Sequence, residues 1–252
     1  MALKNLILLT TTLCLGCSAN ANATSFSSGF YVGMGAGMER MNGQRSERMN
    51  DDQHGFTPQV LSHNQDMKKH GHLIDFFGGY LHRLQNFAIG LEAFFGVGRV
   101  SSEINKKWSD DPTGLGILDE WKYKATLEKK NHFGLHGRIG YVAFDRVFVY
   151  GLIGFSACQL RYSSDQQIFD TTPALHQSQF SQRKLAYGFD YGLGAEYQSG
   201  PYRFGVEGYV ANFKRQLFHF PFNKDVYGGS PNIQVSIKPI HTVIKIKLSI
   251  SF

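Results

Sequence analysis

The sequence predicts an all-β fold: an eight-stranded antiparallel transmembrane β-barrel with short periplasmic turns and four long extracellular loops. Three observations predict it. Eight segments alternate bulky apolar residues with small or polar ones, the period-2 pattern of a strand with two unlike faces. The connections between these segments alternate long and short along the whole chain. Past the first two dozen residues no apolar run approaches the ~18 residues of a membrane helix, while the 252 residues include 28 glycines and are 14% aromatic, a composition suited to a barrel.

The opening stretch, MALKNLILLTTTLCLGCSANANATS, is read separately. Lys4 precedes an apolar run from Leu6 to about Cys17, followed by Ala19-Asn20-Ala21 and Ala21-Asn22-Ala23. That is the three-part layout of a secretory signal peptide over residues 1–23, which leaves residues 24–252 as one barrel domain. Lipidation of Cys17 is a competing reading, and Cys14 stands where that motif wants leucine. Export removes Cys14 and Cys17, so Cys158 is alone and forms no internal disulfide. A single cysteine in a strand reads as a small buried hydrophobe. The formal charge of +6 is spread along the chain and does not form a nucleic-acid-binding cluster.

The first strand, 28–40, puts Phe30, Val32, Met34, Ala36 and Met38 on one face, with Tyr31, the glycines and Glu39 on the other. The second, 72–83, holds Asp75 and Arg83 in one register, and Leu84-Gln85-Asn86 turns it into the third, 87–98. There Phe87, Ile89, Leu91, Ala93, Phe95 and Val97 oppose Gly90, Glu92, Gly96 and Gly98. The fourth, 126–142, turns at 143–146 into the fifth, 147–160, which is apolar on both faces and leaves its register open. The sixth, 185–198, passes through Ser199-Gly200-Pro201 to the seventh, 202–213. The eighth runs from about Ile240 to the end, TVIKIKLSISF, with Ile244, Ile246, Leu248, Ile250 and Phe252 opposite Lys245, Lys247, Ser249 and Ser251. Long loops are expected at 41–71, 100–124, 163–184 and 214–239.

A soluble lipocalin-like barrel would bury the bulky rows and wet the charged ones. Two features decide against it. Gly90-Leu91-Glu92, Gly194-Ala195-Glu196 and Gly205-Val206-Glu207 place glycine and glutamate together opposite the bulky residues. A narrow interior wants small residues beside pairable charges, here Glu39, Asp75, Glu92, Arg138, Asp190, Glu196, Arg203, Glu207, Lys245 and Lys247. The last strand alone fits either barrel: a lysine facing lipid at mid-depth would cost ~2–4 kcal/mol, which turns Lys245 and Lys247 inward in a membrane barrel, while a soluble one would turn them out. Aromatics also flank every short turn and both ends (Phe30, Tyr80, Phe87, Tyr141, Phe148, Tyr197, Tyr202 and Phe252), as in an interfacial girdle.

GLHGRIGYVAFDRVFVYGLIGF (134–155), DYGLGAEYQ (190–198) and the Phe-terminated last strand resemble the small outer-membrane β-barrel proteins, a group of OmpA/OmpX-type barrels, porin-like surface antigens and opacity-type proteins. The resemblance covers essentially the whole mature chain. It implies a Gram-negative outer-membrane location, and recognition of Leu248, Ile250 and Phe252 by the barrel-assembly machinery. It carries no cell-wall-binding domain.

Chemistry-bearing patterns are few. His132 and His136 share a strand face ~13 Å apart, too far for one ion. His70-Gly71-His72, with His54 and His63 nearby, shows no third ligand. Gly154-Phe155-Ser156-Ala157-Cys158 starts like a nucleophile elbow but lies mid-strand and has Cys for the second Gly. Phe218, Phe220 and Phe222 read as an outer girdle on an extension of the seventh strand, with an adhesive patch as the sharper alternative. No catalytic, cofactor or metal residue is assigned. The function expected is a monomeric, structural, surface-exposed barrel whose partners are outer-membrane lipid and lipopolysaccharide, with a host or glycan ligand at the loops and no nucleic acid. An outer-membrane lipid-modifying enzyme and a narrow channel are the alternatives.

Overall fold

A computed structural model of the chain describes residues 26–50, 65–110, 119–169, 175–221 and 232–252. The signal-peptide region, Cys14, Cys17, His54, His63 and Phe222 lie outside them, as does the side chain of Phe220. Ten strands form: β1 (Gly29–Asn50), β2 (Gln65–Leu84), β3 (Phe87–Gly98), β4 (Val100–Asp110), β5 (Asp119–Ala143), β6 (Val147–Phe169), β7 (Leu175–Ser199), β8 (Tyr202–Phe213), β9 (Gln216–Pro221) and β10 (Asn232–Ser251). Antiparallel ladders run β1-β2-β3-β5-β6-β7-β8-β10, and β10 pairs back onto β1 from Tyr31↔Ser251 to Asn50↔Asn232. The ring therefore closes on eight strands, as the alternation predicts. β4 and β9 continue β3 and β8 past short breaks at Arg99 and at Lys214-Arg215.

The tight turns fall where the sequence places them. Gln85 (φ 54°), Phe144 (φ 50°), Asp145 (φ 57°) and Gly200 (φ 59°) supply the left-handed residues that tight hairpin turns demand. Bulky rows on the outer wall are exposed, including Phe30, Met34, Ile89, Leu91, Ile139, Leu193, Val206, Ile244 and Ile246. With charges inside and hydrocarbon-loving side chains outside, the barrel is inside-out relative to a soluble one.

The ladders correct two expectations. The segments 41–71, 100–124, 163–184 and 214–239, expected as long loops, are strand over most of their described residues. β5 and β7 each run 25 residues, where about 9–11 suffice to cross a bilayer. Outside the lipid band both faces can carry polar residues, so the strands continue without the apolar alternation that marks them lower down. Phe148, expected in the girdle, is instead fully buried, stacked on Tyr150 at 4.9 Å and met by Phe26 at 5.3 Å. The register of β6 explains it: Val149, Ile153 and Phe155 face lipid, while Phe148, Tyr150 and Leu152 face in. The other seven girdle aromatics are exposed, with Phe30 on Tyr80 (4.9 Å) and Phe87 on Tyr141 (5.7 Å).

On the extracellular side the ring is no longer closed by backbone ladders, although the Lys184 ammonium donates to Leu217 O across the β7–β9 gap. The β2–β3 ladder ends at Leu73↔Gly98 and the β7–β8 ladder at Gly188↔Phe213. Beyond those points the strands form two four-stranded sheets, β2-β1-β10-β9 and β4-β5-β6-β7. Met41, Phe218, Val235 and Ile237 of the first pack in one buried cluster with Val100, Ala125, Leu127 and Tyr162 of the second. The seventh-strand extension exists as β9, but Phe218 is no girdle residue. It points inward and stacks on Tyr162 at 5.2 Å, which fills the gap between the sheets. A bulge in β5 between Lys129 and His132 switches its inward parity from even residues below to odd ones above.

Candidate functional site

All ten charges assigned to the interior are there and buried. The alternation of β1, β2, β3, β5, β7, β8 and β10 delivers them, and the neighbouring glycines make room. A Cβ on Gly96 would collide with the His132 ring, and one on Gly194 with the Tyr150 ring. These glycines are there for space rather than for backbone freedom, which answers why they share a face with the glutamates.

The charges form a continuous column. Lys247 Nζ donates to both Glu92 oxygens (2.7 and 2.8 Å) and to Glu207 Oε2 (3.1 Å). Arg138 reaches Glu92 Oε2 (3.0 Å), the Tyr31 hydroxyl (2.8 Å) and Glu196, and lies 3.9 Å over the Tyr150 ring. Tyr150 donates to Glu207 Oε2 at 2.8 Å. Toward the outside, Lys245 donates to Asp75 Oδ2 (2.5 Å) and pairs with Glu207 Oε1 (3.0 Å). Asp190 accepts from Ser156 (2.7 Å) and meets His136 Nε2 at 3.0 Å. At the upper end Lys129 Nζ and His241 Nε2 converge on Glu39 Oε2 at 2.5 and 2.9 Å, and His132 faces the Tyr209 hydroxyl at 3.3 Å.

Both ends of the column are capped. On the turn side, Phe26 is buried under Phe148 and beside the Arg203 guanidinium (4.7 Å to the ring). Arg203 donates to Ser27 O at 2.8 Å, and Arg83 to Phe26 O at 2.9 Å. On the other side lies the apolar cluster between the two sheets. With eight strands the lumen has room for side chains and little else.

Sequence reasoning put Tyr31 on the inner face with Glu39 but missed Lys129, His241, Tyr150 and Tyr209 as members of this column. Parity alone would have found His241, which shares the inward face of the last strand with Val243, Lys245 and Lys247. His132 and His136 do share the inner face and both pack on Phe94, but His132 hydrogen-bonds Tyr209 and His136 hydrogen-bonds Asp190. Ligand atoms of Glu92, His136 and Glu207 lie within 4.8 Å of one another. Lys247 contacts both glutamates, and Arg138 and Lys245 take one each, so both carboxylates are already held by cations. His70 and His72 are exposed on β2. Ser156 sits mid-strand with its hydroxyl committed to Asp190, and Phe155 beside it faces lipid, so this stretch is no nucleophile elbow.

The outer surface of the second sheet carries a different kind of site. A groove of about 510 Å³ is lined by Lys124, Thr126, Ser163, Asp165, Gln179 and Phe180, among others. Hydroxyl, amide and charged groups give an open, hydrogen-bonding surface above the membrane, while Phe180 packs against the buried cluster between the sheets. Glu103 and Lys124 pair beside it at 2.9 Å. The Lys124 ammonium, then Asn105, hold the Glu103 carboxyl below the usual carboxylate range.

A family model described as outer membrane protein beta-barrel domain matches residues 9–218. No curated protein matches the chain. Among solved structures, the chain is similar to the outer membrane protease OmpT of Escherichia coli (11% identity, 92% of this chain and 100% of that one, TM-score 0.47). It is also similar to OprG of Pseudomonas aeruginosa (12%, 90% and 99%, TM-score 0.44) and to the attachment invasion locus protein Ail of Yersinia pestis (12%, 87% and 99%, TM-score 0.29).

Proposed function

The chain belongs to the outer membrane protein beta-barrel domain family and is an integral protein of the bacterial outer membrane, and from that premise we propose that it is a monomeric, non-catalytic surface barrel whose extracellular head binds a glycan. The observation that carries this reading is the groove on the second sheet. Its Thr126, Ser163 and Gln179 offer donors and acceptors, and Asp165 and Lys124 offer charge, the groups that suit a sugar's hydroxyl-rich edge.

The barrel below acts as the anchor. Its interior ion pairs and two caps support a closed plug rather than a conducting path. Ser156 and Cys158 are buried, which leaves the elbow-like stretch without an exposed nucleophile. The last strand, with Leu248 and Phe252 outward, is suited to recognition by the barrel-assembly machinery before closure. The test is binding of the full-length protein in detergent to a printed array of bacterial and mammalian oligosaccharides. A Thr126→Ala/Ser163→Ala/Gln179→Ala variant that still shows a heat-dependent gel shift should lose the signal. Equal signal from the variant, or no glycan bound by the wild type, refutes the reading.

A further inference from the structure

The outer wall changes character where the lipid-facing rows end. Going up each strand, Leu185 is followed outward by Arg183 on β7, and Ile240 by Lys238 on β10. On β6 Arg161 lies two outward positions beyond Ala157, and on β8 Lys214 lies two beyond Val210. Arg215 adjoins Lys214 in the break before β9. Five cations thus sit on four neighbouring strands at the upper edge of the apolar band.

Their pairing is unfavourable as it stands. Arg161 and Arg183 are directly opposed across the β6–β7 ladder. The β10 ladder passes from Ile240↔Asn212 to Ile237↔Gln216, which places Lys238 across from the Lys214-Arg215 break. Like charges directly opposite on neighbouring strands destabilise a sheet. Arg161 donates to Ser181 Oγ at 3.0 Å and faces Glu128 across the β5–β6 ladder, a carboxylate that Arg99 holds. Arg183, Lys214, Arg215 and Lys238 have no carboxylate partner among the described residues. The β4–β5 wall differs: there Arg99 pairs with Glu128 at 2.5 Å and Lys124 with Glu103 at 2.9 Å. Opposed cations with no carboxylate between them mark the β6–β10 face.

We infer that this face of β6–β10 is a binding site for the phosphates of an outer-leaflet glycolipid headgroup, that of lipopolysaccharide. The occupant follows from position and charge together. Acyl chains lie along Phe155, Leu185, Tyr187, Val210 and Ile244, and the headgroup phosphates above them reach the guanidinium and ammonium groups. Guanidinium pairs bind phosphate through charge-assisted, bidentate hydrogen bonds, and two opposed arginines become favourable neighbours with one phosphate between them. The inference rests on the outer-membrane placement; Arg161 also lines the groove, so the variants below leave Arg161 in place.

The test uses full-length protein folded in detergent, titrated with bis-phosphorylated lipid A and with its dephosphorylated form, and read by native mass spectrometry and heat-unfolding temperature. Wild type should bind the phosphorylated lipid at least about tenfold more tightly and unfold at a higher temperature with it. Arg183→Gln/Lys214→Gln/Arg215→Gln/Lys238→Gln should lose that preference, while Arg146→Gln on the turn side should keep it. Equal binding of the two lipids by wild type, or an unchanged preference in the quadruple variant, overturns the inference. A de-acylated, water-soluble phosphorylated headgroup binding as tightly as the lipid would assign the site to a soluble anionic glycan and overturn it too. Arg183→Glu, which gives Arg161 a counter-charge, should raise the unfolding temperature in lipid-free detergent; a fall contradicts the claimed repulsion.

Discussion

Replacing Lys245 by methionine isolates the energetics of the charged lumen. Its ammonium lies 2.5 Å from Asp75 Oδ2, with both side chains fully buried, and Asp75 has no other charged partner among the described residues. At an effective dielectric of about 20, unit charges at that separation attract by roughly 7 kcal/mol, part of which offsets desolvation. Removing one partner of such a pair typically costs about 3–5 kcal/mol, because the other charge stays buried alone. Asp75→Asn is milder: Lys245 keeps Glu207 Oε1 at 3.0 Å, so about 1–3 kcal/mol is expected. In Lys245→Met/Asp75→Asn both charges are gone, and Glu207 retains Lys247 and Tyr150. The double variant should therefore be more stable than Lys245→Met alone, with a coupling energy of about 2 kcal/mol or more. The assay is equilibrium urea unfolding in lipid vesicles, scored by the gel shift of unheated protein. A Lys245→Met cost below about 1 kcal/mol, or additive single and double costs, would mean the lumen is wet enough to screen the pair, and the reasoning would fail.

Gly194→Leu would drive carbon into the Tyr150 ring, which already meets the first added atom, and should cost at least about 1–3 kcal/mol in the same unfolding assay, whereas Leu193→Ala on the lipid face should leave the lumen contacts unchanged. In planar bilayers the wild type should show no stepwise conductance, since Phe26 and the upper apolar cluster cap a filled lumen; regular open-channel steps would contradict the plugged reading. Phe26→Ala should lower stability by about 3–5 kcal/mol, seen as a lower heat-shift temperature. The Glu103 carboxyl, held low by Lys124, contributes stability that is present above the ordinary carboxylate pKa and lost as pH falls through the lowered one. Its carbon-13 titration midpoint should lie below that of a free glutamate and return upward in Lys124→Gln.

The sequence reveals the lumen better than the head, for a physical reason. Within the membrane one face must be apolar, so parity separates Glu92, Glu196 and Glu207 from Leu91, Ala195 and Val206 without ambiguity. Where both faces are apolar the signal vanishes, as in β6, and Phe148 is consequently misplaced. Beyond the lipid, outward residues such as Ser163, Asp165 and Gln179 are as polar as a loop, so strand structure is visible only through backbone pairing. The bulge at Lys129–His132 also flips the inward parity, hiding Ala125 and Leu127 as members of the upper cluster. The groove and the opposed cations are unreadable in the chain because each gathers residues from neighbouring strands whose alignment only the ladders fix.

The splitting of the ring above Leu73 and Gly188 has a consequence for the order of folding. One half of the head, β4 through β7, is a run of consecutive hairpins within residues 100–187, and it zips from contacts near in sequence. Its counterpart joins β1 to β10, two segments roughly two hundred positions apart, and such distant contacts form slowly. Met41 and Ile237 come together only after the cylinder seals, so the lid over the charged column should be the last part of the molecule to set.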